Sequence, residues 1–141
     1  MLPSACGHLS KSSIIVKRFA VFQLPIICYA ALIFAISSFS RIPAPDLGIT
    51  FADKIAHFIE YGVFVILLLR AFSHPPISSR VIVLYAFAVI VSIVFAGLDE
   101  YHQKFVPGRT ADLYDLAADS LGIFVGSAIH FRFYRTRRQA S

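Results

Sequence analysis

Apolar residues in this chain come in four long runs separated by short polar connections: about Phe19–Phe39, Ile55–Phe72, Val81–Leu98 and Leu113–Phe133. A helix needs roughly 20 residues to cross a hydrocarbon core, and each run approaches or reaches that length. The connections carry helix breakers: Pro43 and Pro45 after the first run, Pro75 and Pro76 after the second, Pro107-Gly108 after the third. The pattern predicts an all-α membrane protein, with four transmembrane helices in one bundle. The expected layout is a basic tail over 1–18, a membrane domain over 19–133 and a second basic tail over 134–141. The first run follows basic residues as a signal peptide would, but its length and the spans behind it predict a retained helix.

Composition agrees, since 57% of the 141 residues are apolar. The formal net charge of +5 raises the question of nucleic acid, but the basic residues flank apolar runs and form no polar face, which excludes that partner. Cys6 and Cys28 have neither the number nor the spacing of a disulfide framework or a metal-ligand pair. Orientation follows from Lys and Arg near the span ends. Lys11, Lys17, Arg18, Arg70, Arg80, Arg132, Arg135, Arg137 and Arg138 lie on one side, and Arg41, Lys54, Lys104 and Arg109 on the other. Both termini are therefore expected in the cytoplasm. All eight acidic residues, from Asp46 to Asp119, then lie on or near the outer face.

The acids carry the candidate chemistry. Asp53, His57 and Tyr61 recur at i, i+4, i+8 and share a helical face. Glu60 lies beside them, roughly 10 Å into the helix at 1.5 Å per residue. The third run ends in Asp99-Glu100-Tyr101-His102-Gln103, where Gln103 is i+4 from Asp99 and i+3 from Glu100. A turn at Pro107-Gly108 would return Arg109 over that helix mouth. Asp112, Asp115 and Asp119 share one face of the fourth helix, and Gly122 and Gly126 form a Gly-x-x-x-Gly pair that permits close helix contact. These faces are expected to converge at the outer end of the bundle. Plain structural roles compete with functional ones: Asp53 or Thr50 as a helix cap, Asp112 against the macrodipole, Arg109 in an ion pair with Glu100 or Asp115, and Tyr61 and Tyr101 as interfacial belt residues. His102 and Lys104 read as a solvated edge.

Three segments, DKIAHFIEY at 53–61, EYHQKFVPGR at 100–109 and DLYDLAADSLG at 112–122, resemble the VanZ-like family in motif and order, over roughly residues 20–131. The resemblance implies a bacterial cytoplasmic-membrane protein of membrane-spanning helices, and its named member is associated with resistance to the glycopeptide teicoplanin. It maps the family's polar positions to Asp53, His57, Tyr61, Glu100, Gln103, Arg109, Asp115 and Asp119. Asp119 stands where many relatives carry Asn.

The function expected first is binding of a cell-envelope amphiphile, a lipid-linked precursor or a glycopeptide, at an outward polar pocket built from those eight residues. The alternative is a small membrane enzyme with His57 or Glu100 as general base and Glu100, Asp115 and Asp119 as metal candidates. No Ser-His-Asp order, HExxH or phosphate loop demands it, and no cofactor is required. Transport ranks last, because the first and third runs carry only weakly polar groups. Membrane lipids are the expected surroundings, and an oligomer is allowed.

Overall fold

In a computed structural model the chain is described over residues 11–40, 50–72 and 81–139. The expected breakers Pro43, Pro45, Pro75 and Pro76, together with Cys6, Asp46, Arg41, Arg80 and the Thr50 cap side chain, lie outside the described residues. Five helical elements follow in order: α1 (Lys11–Phe22), α2 (Leu24–Ser37), α3 (Thr50–Phe72), α4 (Val81–Gln103) and α5 (Leu113–Gln139). No strand occurs among the described residues. The first expected span is thus two elements in one rod. Helical hydrogen bonds run across the junction, Gln23 N to Phe19 O at 2.9 Å and Ile27 N to Gln23 O at 3.2 Å. Pro25 has no N–H to give the carbonyl one turn back, and this interrupts the ladder locally.

Three helical segments are long and apolar enough to cross a membrane: Lys11–Ser37, Ala52–Phe72 and Val81–Gln103. The chain is a multi-pass membrane protein by that measure. The fourth apolar run falls within α5, which has 27 residues. Asp115, Asp119, His130 and Arg132 make α5 less apolar than the other three.

Burial is inverted relative to a water-soluble bundle. Ile82 and Leu113 are more than four-fifths exposed, whereas Asp119 is 1% exposed and Glu100 7%. This is the arrangement expected when hydrocarbon, and not water, surrounds the helices. The inward face of α4 shows the logic. Ala88, Ser92 and Ala96 recur every four residues, followed by Asp99, Glu100 and Gln103, so a small-residue seam runs into a polar end. Tyr61, Phe64, Val65, Leu68 and Leu69 of α3 fill the middle with Ile26 and Ile33 of α2 and Ile123 of α5. Phe64 stacks on Phe95 at 4.8 Å between ring centroids.

The most extensive contact joins α3 and α5. The Gly-x-x-x-Gly pair makes it. A Cβ on Gly122 would strike the Phe58 carbonyl, and one on Gly126 would come within 2.8 Å of Val65 Cγ1. Gly62 completes the seam from α3, facing the Gly122 carbonyl. The contact places the first turns of α3 beside the first turns of α5, and this juxtaposition builds the polar end.

Candidate functional site

The polar end is built from the C-terminal turns of α2 and α4 and the N-terminal turns of α3 and α5. Its outer wall is the loop after α4. Val106 O accepts from Arg109 N at 3.1 Å, with Pro107 and Gly108 at the centre of the turn. Gly108 has φ 77°, the value a type II turn requires at its third position, where glycine has no Cβ to clash. As expected, this turn folds Arg109 back over the helix mouth.

Arg109 does not sit in an ion pair with Glu100 or Asp115. Its Nε donates to Phe39 O at 3.2 Å, Nη2 to Ile36 O at 3.0 Å and Nη1 to Gln103 Oε1 at 3.2 Å. The guanidinium therefore caps the C-terminal end of α2, sharing Ile36 O with Phe39 N and taking Phe39 O just beyond the helix. Asp112 is likewise structural. Its Oδ1 accepts from Tyr114 N at 2.9 Å, a helix N-cap bond, and its Oδ2 meets Lys54 Nζ at 2.8 Å. The Lys54 ammonium and the Tyr114 N–H hold the Asp112 carboxyl below the usual aspartate range.

Deeper in, His57 Nδ1 lies 3.0 Å from Asp119 Oδ1, with both side chains buried. With Asp119 ionised, the carboxylate only accepts, so Nδ1 would carry the proton and Nε2 of a neutral ring would be free of one. Asp115, also buried, takes Lys54 Nζ on Oδ1 at 2.8 Å. Asp53, in the first turn of α3, joins them: one ligand atom each from Asp53, His57 and Asp115 lie within 4.8 Å of one another. Glu100 accepts the Asp112 N–H on Oε1, while its buried Oε2 has no partner. Asp99 accepts from Ser37 Oγ at 2.8 Å and Gln103 Nε2 at 3.3 Å on Oδ2, and its Oδ1 is buried. Tyr61 is fully buried among Phe64 and Phe95, with its hydroxyl at the Asp99 carboxylate.

All eight expected site residues thus meet at one end. Asp53, His57, Asp115 and Asp119 form one group, with Glu100 next to it, and Gln103 and Arg109 form the rim. Tyr61 is a deep core residue and not part of an interfacial belt, which Tyr101 and Tyr114 fit better at 57% and 71% exposure. His102 is not simply a solvated edge. Its ring stacks on Phe34 at 4.6 Å and contacts Ser38 Oγ at 3.1 Å, tying α4 to α2. Sequence reasoning left Asp99, Lys54 and Ser37 out of the site. Asp99 was within reach, being i−4 from Gln103 and on the Ala88–Ala96 face. Lys54 had entered only as a topology charge.

A family model for VanZ/LLP1 matches residues 8–134, nearly the whole chain. The chain belongs to the VanZ/LLP1 family. This VanZ-like membrane protein is also similar to an uncharacterized protein of the fission yeast Schizosaccharomyces pombe, 29% identical over 95 residues. That match covers 67% of this chain and 56% of the yeast protein, so the chain spans little more than half its relative. No solved structure matches.

Proposed function

We propose that this VanZ-like protein crosses the membrane four times, with α5 as the fourth crossing beside α3. Both termini face the cytoplasm and the polar end faces outward, in a bacterium from the cytoplasmic membrane. The excess of Lys and Arg at the opposite end supports this orientation. Packing against the α3 seam supports the crossing, because the acids of α5 are buried by protein and not exposed to lipid.

At that end the protein binds the polar head of a cell-envelope amphiphile. The supporting observation is the buried, unpartnered Glu100 Oε2, at the same end as an Asp99 carboxylate reached by Tyr61, Ser37 and Gln103. Such groups are costly unless a partner satisfies them. A carboxylate oxygen is an acceptor, so the best-suited head is rich in N–H and O–H donors, as a sugar, a peptide or an amine is. A lipid-linked wall precursor and a lipid-tailed glycopeptide such as teicoplanin both have that chemistry. Capture of the latter would link the protein to glycopeptide resistance. A relative in fission yeast favours the broader reading, an amphiphile of the membrane itself. Arg109 retains two of its five N–H groups for an acidic group on the same head.

Native mass spectrometry of the detergent-purified protein tests this. A head-group-bearing adduct on wild type that is lost in Glu100→Gln and Asp99→Asn supports the reading. Identical adducts on all three would remove it.

The second reading is catalysis on such a lipid, favoured by the buried His57–Asp119 pair. A carboxylate on one ring nitrogen orients the other as a general base. Turnover of an envelope-lipid extract that disappears in His57→Gln would establish it, and unchanged lipids with wild type would exclude it.

A further inference from the structure

We infer that Asp53, His57 and Asp115 hold a divalent cation of the zinc or manganese class, independently of which head group the protein binds. Four observations meet here. The ligand atoms come from two helices whose spacing is set by glycine-to-carbonyl packing, and they lie within 4.8 Å of one another. A cation about 2.0–2.2 Å from each would need only modest closure of the side chains.

His57 has the form of a metal-bound histidine. Its Nδ1 is committed to Asp119 at 3.0 Å. Metal-ligating histidines characteristically give their other nitrogen to a carboxylate, which sets the tautomer and aims the ring. Asp119, 1% exposed at the side chain, is then a positioning residue and not a ligand. The trio expected from the sequence, Glu100, Asp115 and Asp119, is thereby redistributed around His57.

Glu100 supplies the independent sign of a ligand. It is 93% buried, its Oε2 has no partner, and it interacts electrostatically with His57, Asp115 and Asp119. An acceptor buried against this group awaits a cation or a cation-bound water. Charge makes the same point. Asp53, Glu60, Asp99, Glu100, Asp112, Asp115 and Asp119 gather at the end where Lys54 pairs with Asp112 and Asp115 and Arg109 lies at the rim on Gln103. Lys54 meets Asp115 at Oδ1, and a carboxylate has a second oxygen with which to hold a metal. One imidazole with carboxylates suits zinc or manganese better than the all-oxygen set that calcium prefers. Open coordination positions would then face the head-group pocket.

The test uses the full chain in detergent and the metal alone. Stripped protein is titrated with Zn2+ and with Mn2+, with bound metal read by elemental analysis after desalting and by Mn2+ electron paramagnetic resonance. Wild type and His130→Gln, altered at the opposite end, are expected to take one ion per chain. His57→Gln, Asp115→Asn and Asp53→Asn lose it, and Asp119→Asn binds about 10–100-fold more weakly. If the buried variants do not fold, the partly exposed Asp53→Asn decides. No saturable binding by wild type, or full occupancy in folded Asp53→Asn, overturns the inference. Head-group adducts that survive chelation would then leave the proposed function standing without the metal.

Discussion

The two ends of the bundle use polar residues in opposite ways. At the end formed by α3 and α5 N-termini, polar side chains are buried or half-buried and joined across four helices. Lys54 spans to Asp112 and Asp115, His57 to Asp119, Ser37 to Asp99, and Glu100 to the Asp112 amide. At the other end, a half-buried pair, Tyr85 Oη to His130 Nδ1 at 2.6 Å, links α4 to α5. Basic residues there lie outside, Arg70 over the Phe22 ring and Arg135 over Phe131. One end is organised to hold something polar within protein, the other to meet a charged surface. Placing carboxylates in a protein interior is costly and is tolerated where partners or a ligand compensate. Exposed arginines near anionic head groups need no such network.

That contrast can be broken most severely at His57 and Asp119. Replacing Asp119 with Leu leaves His57 buried without its partner, and a loss of about 3–5 kcal/mol is expected, read as a lowered unfolding midpoint in detergent. A comparable replacement at the other end, Tyr85→Phe, removes one hydrogen bond and should cost only about 0.5–1.5 kcal/mol. Equal losses would show that the two ends are energetically alike.

Between these lies the seam that creates the polar end. Gly122→Ala drives a methyl group into the Phe58 carbonyl, and overpacking of this kind costs about 1–3 kcal/mol. It should also separate α3 from α5, so cross-linking between cysteines placed at 53 and 115 should fall. Gly97→Ala meets nothing within 4 Å and should be neutral or gain up to about 1 kcal/mol of helix propensity. A destabilised Gly97→Ala would mean that α4 has a partner beyond the described contacts.

The smallest expected effect is a pH dependence. Lys54 and the Tyr114 N–H lower the Asp112 carboxyl from its ordinary value of 3.8. A group depressed in the folded state stabilises it above its ordinary value, and that contribution fades as pH falls through the lower folded value. Wild type should therefore exceed Asp112→Asn in thermal midpoint at neutral pH. The gap should narrow below 3.8. A gap that is constant with pH would assign the role of Asp112 to its cap geometry alone.

Much of this was legible along the chain because membrane burial writes itself as period and run length. Helix positions, the Pro107-Gly108 turn and the faces Asp53-His57-Tyr61 and Asp112-Asp115-Asp119 follow from residue spacing, since spacing alone decides which side chains share a helical face. Gly122 and Gly126 announced a close contact without naming its partner. The break at Gln23 was missed because Pro25 sits inside an uninterrupted apolar run, where hydropathy does not register a missing N–H.

What the sequence determined by itself was the set of groups on each helix face and the end of the bundle to which they belong. Only tertiary structure decided which of them touch. Rotation of α5 against α3, set by glycine-to-carbonyl packing, put His57 on Asp119 and Lys54 on Asp115. The turn after α4 sent Arg109 to the carbonyls of α2 and not into an ion pair with Glu100 or Asp115. Those choices are made by contacts between residues about 60 to 70 positions apart. Local periodicity has no access to separations of that length, because it constrains a helix about its own axis and not against its neighbours.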